Sequence, residues 1–323
     1  MPTTAVVIPV LDGARWLPEV LAAVAAEHPD ELLVIDSGSR DDSVAIARAA
    51  GARVLEIAPE TFGHGRTRNL GVAQTSAEVV CFLTQDATPV PGWLAAHLEA
   101  LALDARVGAS FGPHLPRPDT SPMIARELTE FFAGFSADGA PALQRSADDG
   151  PHAGFLSNVD AAYRRTALEA VGGFRDIPYA EDQAIARDLL AAGWWKAYHP
   201  AAAVLHAHDY PWAQFMRRYF DEYRGLRATT GHVETPGLRS TARHVRTQVA
   251  RDRAYLAGQG AGAGRQARWT ARSAAHHAGR SAFAALGSRA EALPGGVRRA
   301  LSLEGRGDAG PEPARLAHVA PRL

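Results

Sequence analysis

With 323 residues, 46% of them hydrophobic, the chain is long enough for one large domain with an appendage, and its single cysteine, Cys81, rules out an internal disulfide. The opening MPTTAVVIPV has neither a basic start nor a long apolar core, and no apolar run of about 18 residues occurs, which argues against secretion and membrane spanning and predicts a cytoplasmic protein. The formal net charge of −1 hides an asymmetry: from Gly231 onward 15 Arg face 6 acidic residues, net +9, against net −10 for residues 1–230.

In chain order, residues 5–10 form a short β-rich run, and Leu17, Val20, Leu21 and Val24 then recur at i, i+3, i+4 and i+7, the period of a helix with one buried face. Residues 31–35 predict a second strand that stops at Asp36-Ser37-Gly38-Ser39, after which Asp41 and Asp42 can cap a helix carrying Val44, Ile46 and Ala47. The unit repeats with a third strand at 53–57, a polar loop through Phe62-Gly63-His64-Gly65, a helix from Thr67 and a fourth strand at 79–83. That fourth run, Val79-Val80-Cys81-Phe82-Leu83, is apolar throughout, as in a strand buried on both faces, and it ends in Thr84-Gln85-Asp86. Strands alternating with helices predict an α/β fold with a Rossmann-type, mostly parallel central sheet flanked by helices. Ligands of such sheets lie beyond the carboxyl ends of the strands, which is where Asp36 and Asp86 stand.

Further on, the pattern predicts a helix at 92–103, a strand at 107–111 and a helix at 123–135. Residues 136–154, rich in Gly, Ala, Asp and Pro, predict a mobile active-site loop or a surface excursion. Short helices at 166–171 and 184–192, each stopped by glycine, strands at 194–198 and 203–206, and an aromatic-rich helix at 211–223 follow. From Gly231 the composition turns to Ala, Arg and Gly, with helices predicted at 238–256 and 265–286 before a disordered end. The expected organisation is therefore a domain of residues 1–230 and a C-terminal basic α-helical tail of residues 231–323. In that tail Arg239, Arg243, Arg246, Arg251 and Arg253 can cluster on helical faces beside Leu238, Val245 and Leu256. Such a segment suits an anionic membrane surface and predicts peripheral contact at the inner face of the cell membrane.

Three carboxylates stand at ends of predicted elements: Asp36, Asp86 and Asp182. An Asp before a helix is more often a cap than a catalyst, but a sugar transferase needs three such groups, for the donor base, for a metal on the diphosphate and for the acceptor hydroxyl. Val7-Ile8-Pro9-Val10, Val34-Ile35-Asp36-Ser37-Gly38-Ser39, His64-Gly65-Arg66-Thr67-Arg68-Asn69, Phe82-Leu83-Thr84-Gln85-Asp86-Ala87, Ser157-Asn158, Gly172-Gly173-Phe174, Glu181-Asp182 and His206-Ala207-His208 resemble, in that order, the family 2 inverting glycosyltransferases, most of all the bacterial rhamnosyltransferases.

The resemblance, over about residues 5–228, implies a GT-A fold, a nucleoside-diphosphate sugar donor with dTDP-rhamnose first, a glycan or lipid-linked acceptor and Mg²⁺ or Mn²⁺. It implies that Asp36 binds the donor base beside Pro9 and Val10, that Arg66 and Arg68 face the diphosphate, and that Asp86 ligates the metal with His206 as a further ligand. Asp182 would be the general base, with Glu181 and Asn158 on the acceptor side. Thr84 stands at the first position of the Asp-x-Asp that many family members carry, leaving one carboxylate there.

Other readings have weaker support. His206 and His208 have the i, i+2 spacing of a zinc site, but no third His or Cys is signalled nearby. Gly63-His64-Gly65 is no dinucleotide fingerprint, since Arg68 stands where the third glycine belongs. The acidic body and basic tail would also suit an inactive, transferase-like nucleic-acid-binding protein, but that reading leaves the three carboxylates without a purpose; no nucleic acid is expected. The aromatics Trp194, Trp195, Tyr198, Trp212, Phe215, Tyr219, Phe220 and Tyr223 read first as core, and second as stacking surfaces for an acceptor sugar.

Overall fold

A computed structural model describes residues 1–136, 138–149, 152–177, 180–206 and 211–303. The first half follows the strand and helix alternation of the sequence: β1 (Thr4–Val10), α1 (Leu17–Ala26), β2 (Glu31–Asp36), α2 (Ser43–Ala49), β3 (Arg53–Glu56), α3 (His64–Ala73) and β4 (Val79–Leu83). Then come β5 (Thr88–Pro89), α4 (Trp93–Ala102), β6 (Val107–Phe111), β7 (His114–Leu115), α5 (Pro122–Ala133), β8 (Ala142–Gln144), β9 (Asp160–Arg164) and α6 (Arg165–Ala170). The chain continues through α7 (Glu181–Ala191), β10 (Trp195–Tyr198), β11 (Val204–Leu205), α8 (Trp212–Thr230), α9 (Leu238–Gly258), α10 (Ala263–Gly287) and α11 (Gly295–Leu301).

Eight strands form the central sheet in the order β3-β2-β1-β4-β9-β6-β10-β8, and β5-β11-β7 form a small second sheet. The pairs β3-β2, β2-β1, β1-β4 and β6-β10 are parallel, so the sheet is mostly parallel, as expected. The departures are β8, antiparallel to β10 at the edge, and β9, which runs antiparallel between β4 and β6 with Leu83 opposite Asp160. Its sequence, DAAYR, carries two alanines and no aliphatic β-branched residue, so nothing local marks it as a strand. Burial on both faces between two all-buried strands overrides that weak propensity. In the segment expected to be a loop or surface excursion, β8 instead pairs with β10 and forms the sheet edge.

Alternate residues of β1 explain the continuous apolar runs. Val6, Ile8 and Val10 face a core with α1 and α4, while Val7 faces a second core with Phe82, Tyr163, Phe174 and Ile185. A third, aromatic cluster of Phe111, Phe132, Phe135 and Tyr198 lies under α5.

The sequence places a boundary near Gly231, which in the structure takes a left-handed conformation (φ 73°) and caps α8. Beyond it, α10 packs along α8 and α9, and α9 packs on α5. A buried polar knot ties them together: Asp252 accepts from Arg126 Nε and from Ser273 Oγ, each at 2.5 Å, and lies 2.9 Å from His277 Nε2. The end of the chain expected to be disordered includes α11, and residues 304–323 lie outside the described residues. No helix among the described residues is long and apolar enough to cross a membrane.

Candidate active site

The carboxyl ends of β1, β2 and β4 sit side by side, because Val10 is in register with Asp36 and β1 lies between β2 and β4. Asp36 is buried, and its Oδ1 accepts the N–H groups of Gly38 and Ser39 at 2.9 and 3.0 Å. Its Oδ2 is buried without a hydrogen-bond partner, as are Thr84 Oγ1 and Arg68 Nε. Buried polar atoms are nearly always satisfied, so Asp36 Oδ2 is open to a polar partner that the protein itself does not supply. Val10 gives its carbonyl to the Ser37 N–H and hydroxyl, both at 2.9 Å, which ties the end of β1 to the residue just after β2.

Asp86 follows β4 on a loop held from two sides. The Gln85 amide accepts the Leu11 N–H at 2.8 Å and donates to the Leu11 carbonyl at 3.0 Å, joining the β1 loop to the β4 loop. Arg117, buried and stacked 4.3 Å over the Trp16 ring, donates to the Asp86 carbonyl (3.2 Å) and Thr88 (2.7 Å). The Asp86 carboxylate is itself buried and lies 3.5 Å from His206 Nε2, with His114 packed against His206 at 5.4 Å between ring centroids. Among the described residues no cluster of three or more His, Cys, Asp or Glu is placed to hold a metal ion. One carboxylate and one imidazole still fit Mg²⁺ or Mn²⁺, which are commonly bound by one or two protein ligands and complete their shell with substrate phosphates and water.

On the other side, α7 starts earlier than the sequence pattern predicts, so Glu181 and Asp182 occupy its first turn, where the helix dipole favours negative charge. Ala180, just before, has φ 66°, a left-handed conformation that costs a residue with a Cβ roughly 1–2 kcal/mol. Glu181 is buried against Arg68 (2.9 Å) and accepts from Asn158 Nδ2 (3.1 Å), while Asn158 Oδ1 accepts the Tyr163 hydroxyl at 2.7 Å. Burial would raise the Glu181 carboxyl, but Arg68, His64 and Asn158 together hold it below the usual glutamate value. Asp182 differs. Burial first, and the Glu181 charge second, push it up to about 7, against the opposing pull of Arg68 and the N–H groups of Gln183 and Asn158.

The two arginines expected at the diphosphate are both committed to carboxylates. Arg66 is half exposed and paired with Asp176 at 2.6 Å; Arg68 is buried under Glu181. Gly65 belongs to this packing, since a Cβ there would come within 2.0 Å of the Arg175 carbonyl oxygen. Removing Arg68 leaves Glu181 as an uncompensated buried charge, so Arg68→Ala is expected to lower stability by about 3–5 kcal/mol in urea unfolding. A loss below about 1 kcal/mol, the scale of an exposed pair, would show that the pair is not buried in solution.

The profile of Glycosyl transferase family 2 matches residues 5–172, more than half of the chain. The chain belongs to glycosyl transferase family 2. It is 34% identical over 223 residues to the O-antigen chain rhamnosyltransferase RfbN of Salmonella typhimurium, covering 67% of this chain and 69% of that one. It is also 34% identical over 230 residues to the O-antigen chain rhamnosyltransferase WbaN of Salmonella anatum, covering 68% and 71%. Among solved structures, the mannosyltransferase PcManGT from Pyrobaculum calidifontis, in complex with GDP-Man and Mn²⁺, matches with a TM-score of 0.58 at 20% identity over 90% of this chain and 86% of that one. The fold of this transferase is thus GT-A.

The matched segment carries Asp36, Arg66, Arg68, Asp86 and Asn158, whereas Glu181, Asp182 and His206 lie beyond it. His208, Asp209 and Tyr179 fall outside the described residues. Sequence reasoning missed Gln85, Arg117, His114 and Tyr163. Of these only Gln85 carried a signal, its place in the Thr84-Gln85-Asp86 run; the others join the site through tertiary contacts.

Proposed function

We propose that this glycosyltransferase inverts configuration and moves rhamnose from dTDP-rhamnose to a hydroxyl of a cell-envelope glycan or lipid-linked acceptor. The observation that carries the donor assignment is the 34% identity, over two thirds of the chain, to two O-antigen chain rhamnosyltransferases. Asp36 Oδ2, buried and unpartnered, is an acceptor for the imide N–H of a pyrimidine base, and Pro9 and Val10 wall that pocket. Asp182, with its raised pKa, is poised to take the proton from the acceptor hydroxyl as that oxygen attacks the anomeric carbon from the face opposite the diphosphate. Glu181 and Asn158 hold the acceptor side of that base in a fixed, hydrogen-bonded frame. Asp86 and His206 would hold Mg²⁺ or Mn²⁺, which would neutralise charge on the departing diphosphate.

A donor screen with purified protein tests this: dTDP-rhamnose should support transfer, or slow donor hydrolysis without acceptor, well above UDP- and GDP-hexoses. Preference for another nucleotide sugar would replace rhamnose and keep the family chemistry.

The basic helices give this enzyme a means of meeting an anionic membrane. Arg239, Arg243, Arg246 and Arg253 of α9 are exposed and fall on one face, whereas Arg251 is engaged with Glu130 at 2.7 Å. Each basic group near such a surface contributes about 1 kcal/mol, so replacing Arg239, Arg243 and Arg246 with Ala is expected to lower co-sedimentation with anionic vesicles about 10²-fold at low salt. Equal binding by wild type and variant, or none by either, removes the membrane role.

A further inference from the structure

Lys196 is the only lysine in a chain that otherwise draws its positive charge from arginine, and it sits in β10 with no exposed surface. Alternation along the strand turns Ala197 toward the core with α1 and α4, and Lys196 toward the opposite face. There its amine lies 5.7 Å from the Phe111 ring centroid and donates to the Phe155 carbonyl at 2.5 Å. No carboxylate among the described residues neutralises it. The one charged side chain that bears on it is Arg187 of α7, a like charge, and β8 presents the uncharged Gln144 opposite it. Burial first, and Arg187 second, bring the amine down to about 7. A desolvated amine without a counter-charge works against folding, so packing alone would favour an apolar side chain of the same length here.

The carbonyl that Lys196 holds opens a segment, 155–159, that touches both halves of the proposed transfer site. The Leu156 carbonyl accepts from Gln183 Nε2 at 2.9 Å, one residue beyond Asp182. Asn158 Nδ2 donates to Glu181 at 3.1 Å. The Val159 carbonyl accepts the Thr84 N–H at 3.3 Å, two residues before Asp86. β10 is itself paired on both edges, to β6 and to β8. The Lys196 amine therefore ties the start of this segment to the rigid sheet, from the side away from the substrates.

We propose that Lys196 is a positioning residue for transfer: its hydrogen bond to the Phe155 carbonyl fixes segment 155–159 on the sheet, and that segment sets Glu181 and Asp182 against the Asp86 loop. The proposal rests on the reading of Asp182 as the base and adds a residue that acts on it through others. Loss of the anchor should lower turnover by misplacing the base, since a shift of about 1 Å at a reacting group costs on the order of 10²-fold. Donor binding should be spared, because Asp36 and its pocket belong to β1 and β2, on the far side of the sheet from β10.

Two variants of the full chain test it: Lys196→Met, which keeps the length and loses the donor, and Lys196→Arg, which keeps a donor. In Lys196→Met, kcat should fall about tenfold or more, the dTDP dissociation constant should stay within about twofold, and the melting temperature should not fall. Lys196→Arg should recover most of the lost kcat. The acid limb of kcat/KM should persist in Lys196→Met, because it belongs to Asp182. Wild-type kcat in Lys196→Met, joint loss of kcat and dTDP binding, or a folded Lys196→Arg as slow as Lys196→Met overturns the proposal. Disappearance of the acid limb also overturns it and makes Lys196 the titrating group. A readout that needs neither variant to fold comes from lysine labelled with ¹³C at Cε, which gives one resonance because the chain has one lysine. Its midpoint should lie near about 7, and Gln183→Met, which frees the Leu156 carbonyl, should move the resonance by more than its line width. A midpoint at the ordinary lysine value of about 10.4, or a resonance blind to Gln183→Met, overturns the proposal. Inactivity of the wild type with every nucleotide sugar would count against the transferase reading instead, and the lysine resonance is read independently of it.

Discussion

Asp182→Asn is expected to lower kcat by about 10²–10⁴ while the dissociation constant of the donor changes little. The side chains are nearly isosteric, so α7 and the neighbouring Glu181–Asn158 contact should be preserved, and what disappears is the ability to take a proton. The raised pKa gives the experiment a second readout. A base works only when ionised, so the wild-type kcat/KM should fall about tenfold per unit as pH drops below about 7 and level off above it. That apparent value belongs to the Glu181–Asp182 pair, because the Glu181 charge helps to set it. In the Asn variant the residual rate should lose this limb. Near-normal turnover, or a pH profile unchanged by the substitution, would remove Asp182 from the mechanism.

The site was legible where chemistry sits at the end of a regular element, and illegible where it depends on a fold-back. Asp36 and Asp86 could be found because β2 and β4 are short apolar runs that stop at a carboxylate, and a parallel sheet gathers such ends at one edge. Glu181 and Asp182 were visible as residues before a helix, but nothing local shows that Arg68, more than a hundred positions earlier, lies beneath Glu181. The family resemblance places Arg68 at the diphosphate. Its burial at the α3–α7 contact follows from how α3 packs across Phe174 and Arg175. The same limit hid β9, whose alanines take their strand conformation from β4 and β6 on either side. It also hid the role of α9 and α10. Their Arg-rich composition reads as a basic helical tail suited to a membrane surface, and nothing in it shows that one buried carboxylate, Asp252, collects Arg126, Ser273 and His277 and seats both helices against α5.

Chelation is expected to abolish transfer, and Mg²⁺ or Mn²⁺ to restore it. A departing nucleoside diphosphate gains negative charge, and the two cations expected to meet it are already neutralised, Arg66 by Asp176 and Arg68 by Glu181. Asp86 is a single buried carboxylate, with His206 Nε2 at 3.5 Å. That pair is suited to holding a divalent ion whose remaining positions belong to phosphate and water. Loss of such charge stabilisation is worth several kcal/mol, on the order of 10³-fold or more in rate. Asp86→Ala should therefore reduce turnover by that order and weaken dTDP and Mn²⁺ binding together in titration calorimetry, as expected if the ion held by Asp86 would also neutralise the diphosphate. His206→Ala should weaken Mn²⁺ binding less, since it leaves the carboxylate in place. Asp86→Ala also removes a buried charge beside His206, so a melting curve must show that the variant is folded before its rate is read. Full wild-type activity in excess chelator, or tight dTDP binding by Asp86→Ala with unaltered Mn²⁺ affinity, would mean that Arg66 or Arg68 leaves its carboxylate partner during turnover and serves the leaving group unaided.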